Sequence, residues 1–126
     1  MKTTKTVRKA GFTLVEIMIV VAIIGLLAAI AIPNFVRARA TSQANACINN
    51  LRQIDAAVNE WALEQGKKTG DGPASLTTDL TPYIKLNANA GIPGCPAQGT
   101  YSVFSVGATP QVSCNLSTLN PAHKLP

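Results

Sequence analysis

The sequence predicts an α+β chain: one long amino-terminal helix, membrane-spanning in its first half, packed in its second half against a small antiparallel β-sheet. Three observations predict it. Phe12–Ile32 is a run of 21 residues, almost all apolar, with Glu16 as its one charge. Cys47, Leu51, Ile54, Val58 and Trp61 step by four, three, four and three, the stripe of a helix that buries one face. Thr100–Val106 and Gln111–Cys114 are rich in β-formers and flank the turn Gly107–Pro110, as a hairpin requires.

The apolar run is long enough to cross a bilayer as a helix. A carboxylate inside such a segment is costly unless it is neutralised, which makes Glu16 a functional candidate. Before the run lies Met1–Gly11, polar and basic, with Lys2, Lys5, Arg8 and Lys9 and no acid. An ordinary secretory signal explains this order poorly. Its apolar core runs 7–15 residues and precedes a small-x-small site, which only Ala29-Ile30-Ala31 imitates. A plain single-span anchor gives no reason for Glu16. Positive charge favours the cytoplasmic side, so the leader stays inside and residues after Pro33 face the other compartment.

Asn34–Gln65 lacks Gly and Pro and is rich in good helix formers, so the helix continues beyond Pro33. Gly66, followed by further glycines and Pro73, ends it. Phe12 to Gln65 as one helix would be about 80 Å long. Gly25 and Pro33 are expected to interrupt it, because Pro removes a donor and crowds the turn before it.

Beyond the helix the order is weaker. Leu76, Leu80 and Ile84 have helical spacing and predict a short helix over 76–86, limited by Pro82. Asn87–Gly99 reads as a loop and Asn115–Pro126 as an irregular tail. Three strands are the usual minimum for a stable sheet, and only two are evident. About 80 residues fold in water, a core that needs help from a cross-link or from assembly. Cys95 and Cys114 bracket the hairpin, and a disulfide between them is expected to add about 3 kcal/mol. Cys47 reads as a small hydrophobe on the stripe. Its pairing with Cys95 or Cys114 is the alternative. No metal is expected, since there is no CxxC and one His. That residue, His123, reads as solvated.

Lys9-Ala10-Gly11 followed by Phe12-Thr13-Leu14-Val15-Glu16, with Gly25 and Pro33 beyond, resembles the type IV pilin and type II secretion pseudopilin superfamily. The resemblance covers about residues 8–36. It implies a pilin-like fold in which residues 1–11 are a leader, 12–33 the transmembrane and filament-core helix, and 34–126 a periplasmic or extracellular head. It implies that a membrane-embedded prepilin peptidase cuts after Gly11 and methylates the new amine of Phe12. It further implies a homo-oligomeric filament with minor pilin-like subunits, an assembly platform in the bacterial inner membrane, and loss of helical order between Gly25 and Pro33 in the filament. Calcium sites of secretion pseudopilins use acidic head residues, but no Asp or Glu follows Asp79, so no such site and no cofactor are expected.

Given that cut, Glu16 acquires a partner. The amine of an incoming subunit neutralises the carboxylate of one already assembled and sets the register between them. The bland alternative is a carboxylate stabilised by the dipole of its own helix.

Charge and motifs exclude other classes. Four of eleven basic residues lie in Met1–Gly11, leaving seven against six acids and a net charge near +1. No basic patch with interleaved aromatics exists for nucleic acid. No catalytic set or phosphate loop is present, so an enzyme is not expected. The expected function is a filament subunit, first a pseudopilin for protein export across the outer membrane. The alternatives are a type IV pilin for adhesion, twitching or DNA uptake, and a monomeric membrane-anchored binding module.

Overall fold

A computed structural model describes residues 11–72, 75–88 and 90–126. The leader basics Lys2, Lys5, Arg8 and Lys9, and Pro73 of the stop signal, lie outside the described residues. The fold is α+β, with the elements α1 (Leu14–Glu64), a 3-10 turn (Thr81–Tyr83), β1 (Tyr101–Val103) and β2 (Val112–Cys114). The chain divides into two compact units, Met1–Arg37 and Ala38–Pro126.

The first unit is the amino-terminal part of α1. Its large apolar side chains are exposed all round the helix, Phe12 at 88% and Leu14 at 78% among them. A helix apolar on every side suits a bilayer or a bundle core. Length and composition are sufficient for a membrane span. The expected interruption at Gly25 and Pro33 is absent from the isolated chain, where α1 is one helix through both. Pro33 removes a single donor, and membrane-type helices accommodate such a loss when surrounding groups adjust.

The second unit is organised by the stripe on α1. Cys47, Leu51, Ile54, Val58 and Trp61 are all buried, with Ala44, Ala57 and Ala62 beside them. Leu80, Ile84, Cys95, Val112 and Cys114 complete the core. α1 ends in a Schellman motif. The Lys67 N–H donates to Ala62 O at 2.8 Å, and the Gly66 N–H to Leu63 O at 3.4 Å. Gly66 sits at φ +62°, a conformation that glycine adopts without penalty. The Lys67 ammonium then stands 5.7 Å from the Trp61 ring centroid, within cation–π range.

β1 and β2 pair antiparallel, Tyr101 opposite Cys114 and Val103 opposite Val112. They are shorter than the sequence suggested. A third strand is absent among the described residues. Two backbone bonds do part of its work: Gly70 N–H to Val106 O at 2.8 Å and Val106 N–H to Asp71 O at 3.2 Å. Gln111 fixes the hairpin loop to α1, its Oε1 accepting from the Gly107 N–H at 3.1 Å and its amide donating to Asn59 at 3.3 Å.

The helix expected over 76–86 does not form; turns and the three-residue 3-10 turn stand there. Local side chains compete for the backbone groups a helix would use. The Ser75 N–H donates to Asp79 at 2.9 Å, and the Thr81 hydroxyl to Thr77 O at 2.7 Å. The residue before Pro82 is also biased away from helical geometry. Leu80 and Ile84 are buried nonetheless.

Truncating the stripe tests this core. Leu51→Ala should lower the unfolding free energy of the detergent-solubilised chain by about 2–5 kcal/mol. Leu63→Ala, at a side chain 83% exposed, should stay within about 0.5 kcal/mol. Urea unfolding followed by Trp61 fluorescence checks both.

Candidate functional site

Two groups of side chains stand out, one in each unit. The first lies where α1 begins. Gly11, Phe12 and Thr13 precede the helix and are exposed. Thr13 and Glu16 form a reciprocal capping box. The Thr13 N–H and the Thr13 hydroxyl both donate to Glu16 Oε2 at 2.8 Å. The Glu16 N–H donates to Thr13 Oγ1 at 3.3 Å. Two amides that a helix start leaves without partners are thereby satisfied. Glu16 thus has a local role beyond its charge, and the Thr-x-x-Glu spacing is the sequence signal for it. The carboxylate remains exposed at the end of the helix, where the macrodipole favours a negative group.

The second group lies in the other unit. Cys47 on α1, Cys95 in the loop before β1, Cys114 at the end of β2 and His123 in the tail present one ligand atom each, all within 4.8 Å of one another. All four are buried, which corrects the expectation of a solvated His123. The tail folds back far enough for the His123 N–H to reach Leu116 O at 3.4 Å. Cys95 Sγ and His123 Nδ1 stand 3.5 Å apart. The three cysteines are free thiols, with no bond between Cys95 and Cys114, and Cys47 Sγ lies within the same 4.8 Å.

The loop carrying Cys95 is pinned to α1. Asn50 donates to Gly94 O and to the Tyr101 hydroxyl, each at 3.1 Å, and Gln43 to Pro96 O at 3.4 Å. Burial pushes the Cys47 thiol up to about 12. Burial also acts upward on Cys95, but the Ala97 and Gly99 N–H groups bonded to its sulfur, with the neighbouring thiols, hold it below the usual thiol range. Tyr101 is raised, first by burial and then by its bond to Cys47. At Gly99 a Cβ would lie 2.6 Å from Cys114 Sγ, so only glycine lets the loop approach this closely.

A family profile described as the prokaryotic N-terminal methylation motif matches residues 7–32. Over 60 residues the chain is 48% identical to the type IV major pilin protein PilA of Myxococcus xanthus, covering 48% of this chain and 27% of that one. It is similar to the type IV major fimbrial protein FimA of Dichelobacter nodosus, 48% identical over 61 residues, 48% of this chain and 38% of the relative. With the type IV major pilin protein PilE1 of Neisseria gonorrhoeae it shares 40% identity over 80 residues, 60% of this chain and 48% of the relative. The matches therefore span less than half the length of these relatives. No solved structure matches the chain.

The capping box gives a direct expectation. Thr13→Ala should weaken the first turn of α1 by about 1 kcal/mol. Amide exchange at Glu16, measured in micelles, should accelerate about fivefold, while exchange at Leu51 stays unchanged.

Proposed function

We propose, from an amino-terminal half that belongs to the type IV pilin superfamily, that this chain is a structural subunit of a type IV pilus-like filament. The observation that carries the reading is the methylation motif continued by an exposed apolar helix with a capped carboxylate in its first turn. The relatives bear the names of major pilins, which favours a pilus subunit over the secretion pseudopilin that the sequence first suggested. The secretion role becomes the second reading, for which the compact second unit is the argument.

In this reading prepilin peptidase removes Met1–Gly11 and methylates Phe12. The subunit waits in the inner membrane as a single-pass protein, its amino terminus cytoplasmic and its residues from Pro33 onward periplasmic. The freed amine is a positive charge just before a helix start, where the macrodipole disfavours it. Glu16 is the compensating group. Within one chain it caps its own helix. Across chains it offers the same oxygens to the amine of the next subunit. Pairing there removes the cost of an uncompensated charge among packed apolar helices. The assembly platform supplies subunits, and Gly25 and Pro33 give the packed helix a place to unwind. Minor pilin-like subunits complete the filament. Catalysis and nucleic-acid binding have no part in this reading.

Two measurements test it. Intact-mass analysis of the native protein should give a chain beginning at N-methyl-Phe12, and any other start overturns the processing step. Glu16→Ala should leave processed protein in the membrane and abolish filaments, while Glu16→Asp should assemble partially. Normal filaments from Glu16→Ala would refute the pairing. Deleting the gene separates the two readings, since loss of surface filaments marks a pilus and loss of exported proteins alone marks secretion.

A further inference from the structure

Four metal-binding side chains meet at one point of the second unit, each delivered by a different segment. We propose that Cys47, Cys95, Cys114 and His123 form a tetrahedral three-cysteine, one-histidine zinc site that fastens α1, the β1–β2 hairpin and the tail together. This goes beyond the filament reading and does not depend on it.

The geometry is close to that of an occupied site. Zinc with Zn–S near 2.3 Å and Zn–N near 2.05 Å sets a sulfur and a nitrogen about 3.5 Å apart and two sulfurs about 3.8 Å apart. Cys95 Sγ and His123 Nδ1 are 3.5 Å apart. The whole set lies within 4.8 Å, so binding requires shifts of about 1 Å or less. None of the four residues is more than 8% exposed.

The surroundings also fit. Gln98 turns the loop at φ +63°, with its N–H on Cys95 O at 2.9 Å. Gly99 leaves room for Cys114 Sγ, which a Cβ there would meet at 2.6 Å. On binding, three thiols each lose a proton to solvent and the imidazole binds neutral, leaving a net charge of about −1 at the site. Three sulfurs and one imidazole select zinc over calcium or magnesium, which take oxygen ligands. Four protein ligands leave no open position, so the site is structural rather than catalytic.

A disulfide is the competing use of these sulfurs. It would engage two of them and leave the third thiol and a buried imidazole without a task. A metal uses all four groups at once. The expectation of no metal rested on the missing CxxC spacing, a rule for ligands that are close in sequence.

The mature full-length chain, purified in detergent without chelator or reductant, tests the proposal. About one zinc per chain by elemental analysis, with three alkylatable thiols after denaturation in chelator, is the expected result. Cobalt added to chelator-stripped protein should give tetrahedral bands with thiolate charge transfer, a signature that needs no variant. Cys114→Ser and His123→Ala should each weaken zinc binding by more than the ~10–100-fold that outer-shell changes cost. His123→Cys should retain zinc, because four cysteines also form a structural set. A disulfide between any two of the cysteines in zinc-free native protein would overturn the proposal. So would three free thiols that take up neither zinc nor cobalt.

Discussion

One helix has to satisfy two surroundings, and the rest of the molecule follows from that constraint. Through its first 23 residues α1 (Leu14–Glu64) presents apolar side chains in every direction. From Ala44 onward the same helix buries them along one face and leaves Leu63 exposed. The first pattern can be satisfied by lipid or by other helices of the same kind. The second must be satisfied by the chain itself. A single secondary structure thus joins a segment whose apolar side chains the chain itself leaves uncovered to a segment that buries its own.

The second segment has little material with which to do this. The sheet that covers the stripe has two strands of three residues each. Much of the remaining cover is turn and loop, held by side-chain bonds from α1: Asn50 and Gln43 to the Cys95 loop, Gln111 and Asn59 across the hairpin. Small cores of this kind ordinarily rely on a cross-link. Placing four ligand-type groups at the meeting point of helix, loop, strand and tail puts such a link where it restrains the greatest number of segments.

The parts of this fold legible in the sequence were those written as periods. The stripe from Cys47 to Trp61 was legible because helical spacing and burial are the same fact seen twice. The hairpin was legible through its β-formers and its turn, although the strands proved shorter. The Leu76–Leu86 helix was misread, since apolar spacing was right about burial of Leu80 and Ile84 but silent about Ser75, Asp79 and Thr81 competing for the backbone. His123 was misread for a different reason. It lies in a tail with no period and no neighbouring ligand, and its burial depends on how that tail returns to the core, which no local pattern records. At the amino terminus Glu16 was found through its charge, while the Thr13 spacing that explains its geometry carried an equally plain signal.

The distribution of likeness along the chain has the same physical root. Identity to the pilins runs over 60 to 80 residues and does not reach most of their length. A helix that is apolar on every side, where it packs among like helices, is constrained on every face. A covering layer over one stripe is constrained on its inner side alone. Any compact arrangement that buries Leu51, Ile54 and Val58 serves it, whether fastened by a sheet, a disulfide or a metal. The matched methylation motif, residues 7–32, ends within α1. The cysteine–histidine cluster belongs to the part of the molecule where physics permits each chain its own solution.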